Sequence, residues 1–239
     1  YSTSVSVKRP SADYICMSSD PRRELRRLQD SPVFKTYTEL RRMSMCYDMM
    51  DSKLDELIDA VRMTRRMCPD HWSRYETIES HTMGICQLLA DFLSRMYSCK
   101  DYAAVCAKRH GIDREFRALK HEGLGFEVSL VVNLRNYVVH VDMLPLEIDV
   151  RDGRVVFTRR CCGDGIWSTS QKVYLREIDL ESLLRSYSDT MSVFYARYFG
   201  MLVEAMRTQL GACRQEIGDL NRRVGYEMVR FDPLAGMKA

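Results

Sequence analysis

The residues of this 239-residue chain best suited to chemistry are Arg135, Asn136 and His140, which interrupt an otherwise apolar stretch from Phe126 to Pro145. A histidine titrates near neutrality and can give or take a proton, while an arginine grips anionic oxygens with two parallel N–H donors. An asparagine beside them can orient either group by hydrogen bond. Spacing alone carries little, because an Arg followed by a His after four to six intervening residues also occurs at Arg66 with His71, Arg74 with His81 and Arg114 with His121, and a surface arginine near a satisfied histidine is the ordinary reading of such a pair. Three features separate Arg135: Asn136 follows it directly, its segment is strongly apolar, and Pro145 ends that segment soon after His140. Arg66 to His71 is broken by Pro69, and neither Arg74 nor Arg114 precedes an asparagine.

The segment itself reads as a helix. Phe126, Leu130, Leu134, Tyr137, Val138 and Val141 recur at helical spacing on one face. The run Leu134-Arg135-Asn136-Tyr137-Val138-Val139-His140, with Leu144-Pro145 behind it, resembles the Arg-polar-x-x-x-His signature of HEPN (higher eukaryote and prokaryote nucleotide-binding) domains, and in particular bacterial members reading L-R-N-Y-x-x-H followed by L-P. The resemblance covers about a dozen residues; beyond them it is architectural, a long-helix bundle with the signature on a late helix. It implies a metal-independent endoribonuclease of the toxin–antitoxin or anti-phage kind, working as a homodimer, with RNA as substrate and an antitoxin or regulatory protein as partner. Other family members have lost catalysis and serve as RNA- or nucleotide-binding modules or protein scaffolds, and that is the alternative. Some members carry a Tyr two residues after the His, where a partner enzyme modifies it; here that position is Asp142, so silencing by that route is not expected, and of the two readings of Asp142, raising the pKa of His140 or simple solvation, the second is favoured.

The residue types suit that chemistry. Attack of a 2′-OH on its own phosphodiester needs a base, an acid for the leaving 5′-oxygen, and positive charge on the phosphorane. His140 suits the proton transfers, Arg135 the phosphate oxygens and Asn136 the orienting bond. On a helix Asn136 and His140 stack on one face, whereas Arg135 lies about 140° away and must curl round to share their cleft. One chain supplies one such histidine, so a two-fold dimer that brings two copies of the helix together would provide both acid and base.

Other constellations are weaker. Cys161-Cys162, Cys68 with His71, and Cys99, Cys106 and His110 contain zinc-type ligands but no C-x-x-C pair, and no metal is expected. Walker-A, Rossmann and G-x-S-x-G motifs are absent, so no cofactor is expected. Nine scattered cysteines read as reduced, buried thiols, and no apolar run approaches the roughly 18 residues of a membrane helix. The N-terminus shows no hydrophobic signal core, so the chain is expected in the cytoplasm. Net charge is +3, a mild excess that permits an anionic partner without demanding one. Arg22, Arg23, Arg26 and Arg27, then Arg62, Arg65 and Arg66, and Arg151, Arg154, Arg159 and Arg160 could track an RNA backbone, although interspersed acids favour a solvated face.

The elements that must position the site are mainly α. Residues 1–19, rich in Ser and including Pro10, read as a flexible tail; 20–239 read as a single HEPN-like helical domain. Asp20-Pro21 and Ser31-Pro32 start helices. Val33, Tyr37, Leu40, Tyr47, Met50, Leu54 and Val61 then form one long stripe that Pro69 ends. A second long helix carries Trp72, Tyr75, Ile78, Ile85, Phe92 and Met96, followed by a shorter piece from Ala103 to His110. The third begins near Ile112, bends at Gly123 or Gly125 and contains the site. The period then changes to 2 across Leu146, Ile148 and Val150, and Asp152-Gly153 turns into Arg154 to Arg160 as a β-hairpin inserted at about 145–177, with Lys172 to Leu175 a candidate third strand. Asp179 caps the last long helix, whose stripe runs from Leu180 to Leu202, and a more polar helical stretch continues to Arg222. The sum is an up-and-down bundle with a hairpin before its last long helix.

Overall fold

A computed structural model describes residues 20–67, 74–140, 144, 146–163 and 165–234. The expected N-terminal tail lies outside these residues, as do Cys68, Pro69, His71, Trp72, Val141, Asp142, Pro145 and Asp164. In chain order the elements are α1 (Pro21–Asp30), α2 (Pro32–Arg66), α3 (Tyr75–Arg109), α4 (Asp113–Gly123), α5 (Phe126–His140), β1 (Leu146–Asp149), β2 (Arg154–Phe157), α6 (Thr169–Glu177), α7 (Leu180–Ala205) and α8 (Arg207–Val224). The fold is mainly α with one small antiparallel hairpin, as the periodicity predicts. Among the described residues no helix is long and apolar enough to cross a membrane.

Residues 20–37 and 208–232 form one compact unit, and 38–207 with 233–234 another. In the first, the Asp20 carboxylate accepts the Arg22 N–H at 3.0 Å and Pro21 occupies the first turn, so α1 starts where its cap dictates. Leu28 of α1 is buried, as are Leu210, Cys213, Ile217, Leu220 and Val224 along one face of α8. Glu24 is buried and accepts from the Arg223 Nε at 3.0 Å, which satisfies its charge. Gly225, at φ 77°, ends α8, and the Asn221 side chain then accepts from the backbone N–H groups of Met228 and Val229. Tyr37 stacks on Phe231, and its hydroxyl donates to the Arg230 carbonyl.

The second unit is built on four long helices whose directions follow from their contacts. Glu39 meets Arg109 and His110 while Thr64 meets His81, so α2 and α3 are antiparallel. Tyr47 packs on Tyr195 and Arg62 reaches Glu181, which makes α2 and α7 antiparallel too. Phe92, Cys99 and Ala103 meet Tyr187, Tyr195 and Tyr198 in order, so α3 and α7 run parallel. Arg135 lies over Tyr97 while Cys86 donates to the Leu144 carbonyl, and α5 therefore runs against α3. The result is an up-down-up-down bundle around Leu54, Leu57, Leu89, Phe92, Leu130, Leu134, Leu184 and Leu202, all essentially inaccessible. α3 is continuous to Arg109, so the expected separate piece at Ala103 to His110 is its last turns, closed by Gly111 at φ 72°. Conversely, the expected bend at Gly123 or Gly125 is a full break between α4 and α5.

In the hairpin Leu146 pairs with Phe157 and Ile148 with Val155, all four buried, while Glu147 and Val156 alternate to the other side. Its turn needs glycine twice over. Gly153 sits at φ 69°, and a Cβ there would lie 2.8 Å from both the Arg65 Cα and the Thr64 carbonyl oxygen at the end of α2. The candidate third strand is overturned: Lys172 to Leu175 lie in α6. Ser168 and Gln171 form a reciprocal capping box that nucleates this helix, and the cap outweighs the strand-like Val173-Tyr174-Leu175.

Candidate functional site

Arg135, Asn136 and His140 all fall on α5, whose inner face fixes how they are presented. Leu130, Val131, Leu134 and Tyr137 are buried, and the Tyr137 ring stacks on Trp167 at 6.2 Å between centroids. Asn133 donates from Nδ2 to the Gln171 Oε1 at 3.0 Å, and the Gln171 Nε2 donates to the Ser129 Oγ at 3.1 Å. Gln171 is itself 5% exposed and accepts the Ser168 N–H at 3.0 Å. The α6 cap and two side chains of α5 are thus tied by one buried amide, which holds α5 against rotation about its axis.

With that face committed, the site residues point elsewhere. Arg135 is half-buried, and its guanidinium carbon stands 3.8 Å from the centre of the Tyr97 ring on α3. Its Nη1 donates to the Asn136 Oδ1 at 3.4 Å, so the arginine curls toward its neighbour as helical geometry requires. His140 is exposed at the last position of α5, one turn beyond Asn136. The structure brings Arg135 and Asn136 into contact and leaves His140 next along the same strip, with no hydrogen bond of its own among the described residues. Asp142 lies outside them. Tyr97 is the member the sequence reading missed, since it sits on another helix and only the register of α3 against α5 places it under the guanidinium.

Beside this strip Val139 is 54% exposed and Met83 45% exposed. A cleft of about 470 Å³ between α3 and the end of α5 is lined by Met83, Ala90, Val138 and Leu144.

The remaining candidates have structural duties. Cys99 donates to the Tyr195 hydroxyl at 3.2 Å and Cys106 to Glu39 at 3.7 Å, and burial pushes both thiols up to about 12. Cys161 and Cys162 are buried in a 3-10 turn. His110 faces Glu39 at 3.2 Å, and His81 shares a 2.8 Å hydrogen bond with Thr64. Among the described residues no three His, Cys, Asp or Glu side chains cluster as a metal site. The basic clusters are largely neutralised: Arg62 and Arg65 face Asp179 and Glu181, Arg151 is paired with Asp149 and Arg154 with Asp152. Arg22, Arg23, Arg26 and Arg27 are exposed on α1.

Compared with protein-family models, with curated proteins and with solved structures, the chain matches none of them.

Proposed function

We propose that this protein is a metal-independent endoribonuclease that cleaves RNA by 2′-OH transesterification, with Arg135, Asn136 and His140 as its catalytic residues. The observation that carries the reading is the strip on α5: an arginine held over Tyr97 and bonded to Asn136, followed one turn later by an exposed histidine. In this mechanism the guanidinium binds the non-bridging phosphate oxygens, and Asn136 fixes its position. His140 moves the proton of the 2′-OH or of the leaving 5′-oxygen. A second copy of the chain supplies the other histidine across a two-fold axis. Exposed Val139 and the apolar cleft beside it support such a contact along α5. A toxin or anti-phage effector held silent by an antitoxin or regulatory protein fits this activity.

A second reading, a non-catalytic RNA- or nucleotide-binding or scaffolding module of the same architecture, is favoured by the contact that already occupies Arg135. A guanidinium resting on Tyr97 can hold phosphate without any proton transfer following. The two readings part in one experiment: total RNA and tRNA are incubated with purified protein in EDTA, and product ends are mapped for wild type, His140→Ala and Arg135→Ala. The ribonuclease reading expects cyclic-phosphate ends and a loss of about 10²–10⁴-fold in both variants. Binding without cleavage, weakened by Arg135→Ala and not by His140→Ala, would replace it with the second reading. Full cleavage by a monomer would refute the composite site.

A further inference from the structure

Four helices, α3, α4, α5 and α7, border a second cavity, partly open to solvent, of about 230 Å³. Much of its wall is core: Met96, Phe116, Val128 and Met191 line it, and each is buried. Bundle interiors are close-packed, so a void of this size among buried apolar side chains sacrifices contacts that a filled core would make. Water gains little there, because an apolar wall gives it few partners. Two features set this cavity apart from a packing defect.

The first is charge. Lys100 on α3 and Lys120 on α4 both border the cavity and both are half-buried. Neither makes an ion pair among the described residues. Their ammonium groups lie over aromatic rings instead, Lys100 at 4.2 Å from the centre of Tyr97 and Lys120 at 5.7 Å from that of Phe116. Two unneutralised, partly desolvated cations beside one apolar cavity attract an anionic head. The second is an unpaired donor. Tyr187 lines the cavity, is fully buried, and its hydroxyl has no hydrogen-bond partner among the described residues, a condition that buried polar groups rarely tolerate.

We propose that this cavity is a binding site for a small amphiphilic monocarboxylate, with an aromatic or branched apolar body between the four helices and the carboxylate at Lys100 and Lys120. Clefts that bind such ligands combine an apolar lining with a few convergent polar groups. The volume limits the occupant to about ten non-hydrogen atoms, by comparison with apolar cavities that admit benzene. This proposal does not rest on the ribonuclease reading, since it uses none of Arg135, Asn136 and His140, although Lys100 and Arg135 lie over the same Tyr97 ring. The occupant would brace α5 from the side of Val128 and Val132.

Phenylacetate is the probe, with phenylacetamide as its uncharged counterpart and acetate as the head alone, each titrated against the full chain by isothermal calorimetry and by protein NMR. The expected result is saturable binding of phenylacetate, binding of the amide weaker by about tenfold or more, and none of acetate. Lys100→Met and Lys120→Met should each weaken phenylacetate and leave the amide unchanged. Val132→Trp should abolish binding of both ring compounds by filling the cavity. If that variant fails to fold, the two lysine variants, at half-exposed positions, still decide the matter. Absence of saturable binding of phenylacetate at millimolar concentration overturns the proposal. So does equal affinity for acid and amide, or phenylacetate binding untouched by the lysine variants.

Discussion

Gln171 is the side chain on which the placement of α5 depends most directly, and Gln171→Ala measures that dependence. The buried amide makes three hydrogen bonds that the alanine lacks: from the Ser168 N–H, from the Asn133 Nδ2 and to the Ser129 Oγ, at 3.0, 3.0 and 3.1 Å. At about 0.5–1.5 kcal/mol net for each, the loss is about 2–4 kcal/mol. For a domain of this size that corresponds to a fall in Tm of roughly 4–16 °C. Ser168→Ala removes only the helix cap and should cost about 1 kcal/mol. Urea denaturation of both variants and of Asn133→Ala provides the values. A double-mutant cycle between positions 133 and 171 should show coupling of about 1 kcal/mol, because the two amides bond directly. The reasoning fails if Gln171→Ala costs no more than Ser168→Ala, or if the coupling vanishes, since the amide would then serve α6 alone.

Other expectations follow from the same geometry. Gly153→Ala meets both a left-handed backbone and the end of α2 at 2.8 Å, and should lose about 2–4 kcal/mol; Gly163→Ala, with open space at its Cβ, should be close to neutral in the same urea titration. The Arg151 guanidinium and backbone N–H hold the Asp149 carboxyl down at about 2. Its stabilisation is therefore complete above the ordinary carboxylate range and is lost as pH falls through that range toward 2. Asp149→Asn should be less stable than wild type near neutral pH, with the gap closing in acid, as denaturation midpoints measured across pH would record. Tyr97→Leu and Arg135→Met should couple by about 0.5–1.5 kcal/mol in a stability cycle, and Tyr97→Phe should leave that coupling intact, because the ring face rather than the hydroxyl meets the guanidinium.

Much of this fold was legible because long helices repeat one signal many times. The stripes through Leu54 and Val61, Ile85 and Phe92, and Leu184 and Leu202 each extend over several turns, and Asp20 and Asp179 carry caps that mean the same thing in any context. Short elements had no such redundancy. Val173-Tyr174-Leu175 suits a strand by composition, and the deciding signal, Ser168 three residues before Gln171, lay upstream of the run itself. The placement of Arg135, Asn136 and His140 on one helix followed from the apolar character around them. Their setting did not: Tyr97 joins Arg135, and Asp179 and Glu181 quench Arg62 and Arg65, through inter-helix registers that no local pattern encodes. For the same reason nothing in the sequence pattern joins Lys100 to Lys120; only the placement of α3 and α4 around one cavity does.

The buried thiols equip the molecule with its own clocks. Cys86, Cys99 and Cys106 along α3, Cys161 and Cys162 in the turn after the hairpin, and Cys213 on α8 are all enclosed. Burial also raises the thiols of Cys99 and Cys213, the latter to about 11, so that each resists alkylation while its surroundings stay shut. A thiol reagent then reacts at the rate at which each neighbourhood opens. Cys213 times the unit formed by α1 and α8, Cys99 times the four-helix bundle, and mass spectrometry of a single alkylation course reads both without any introduced label.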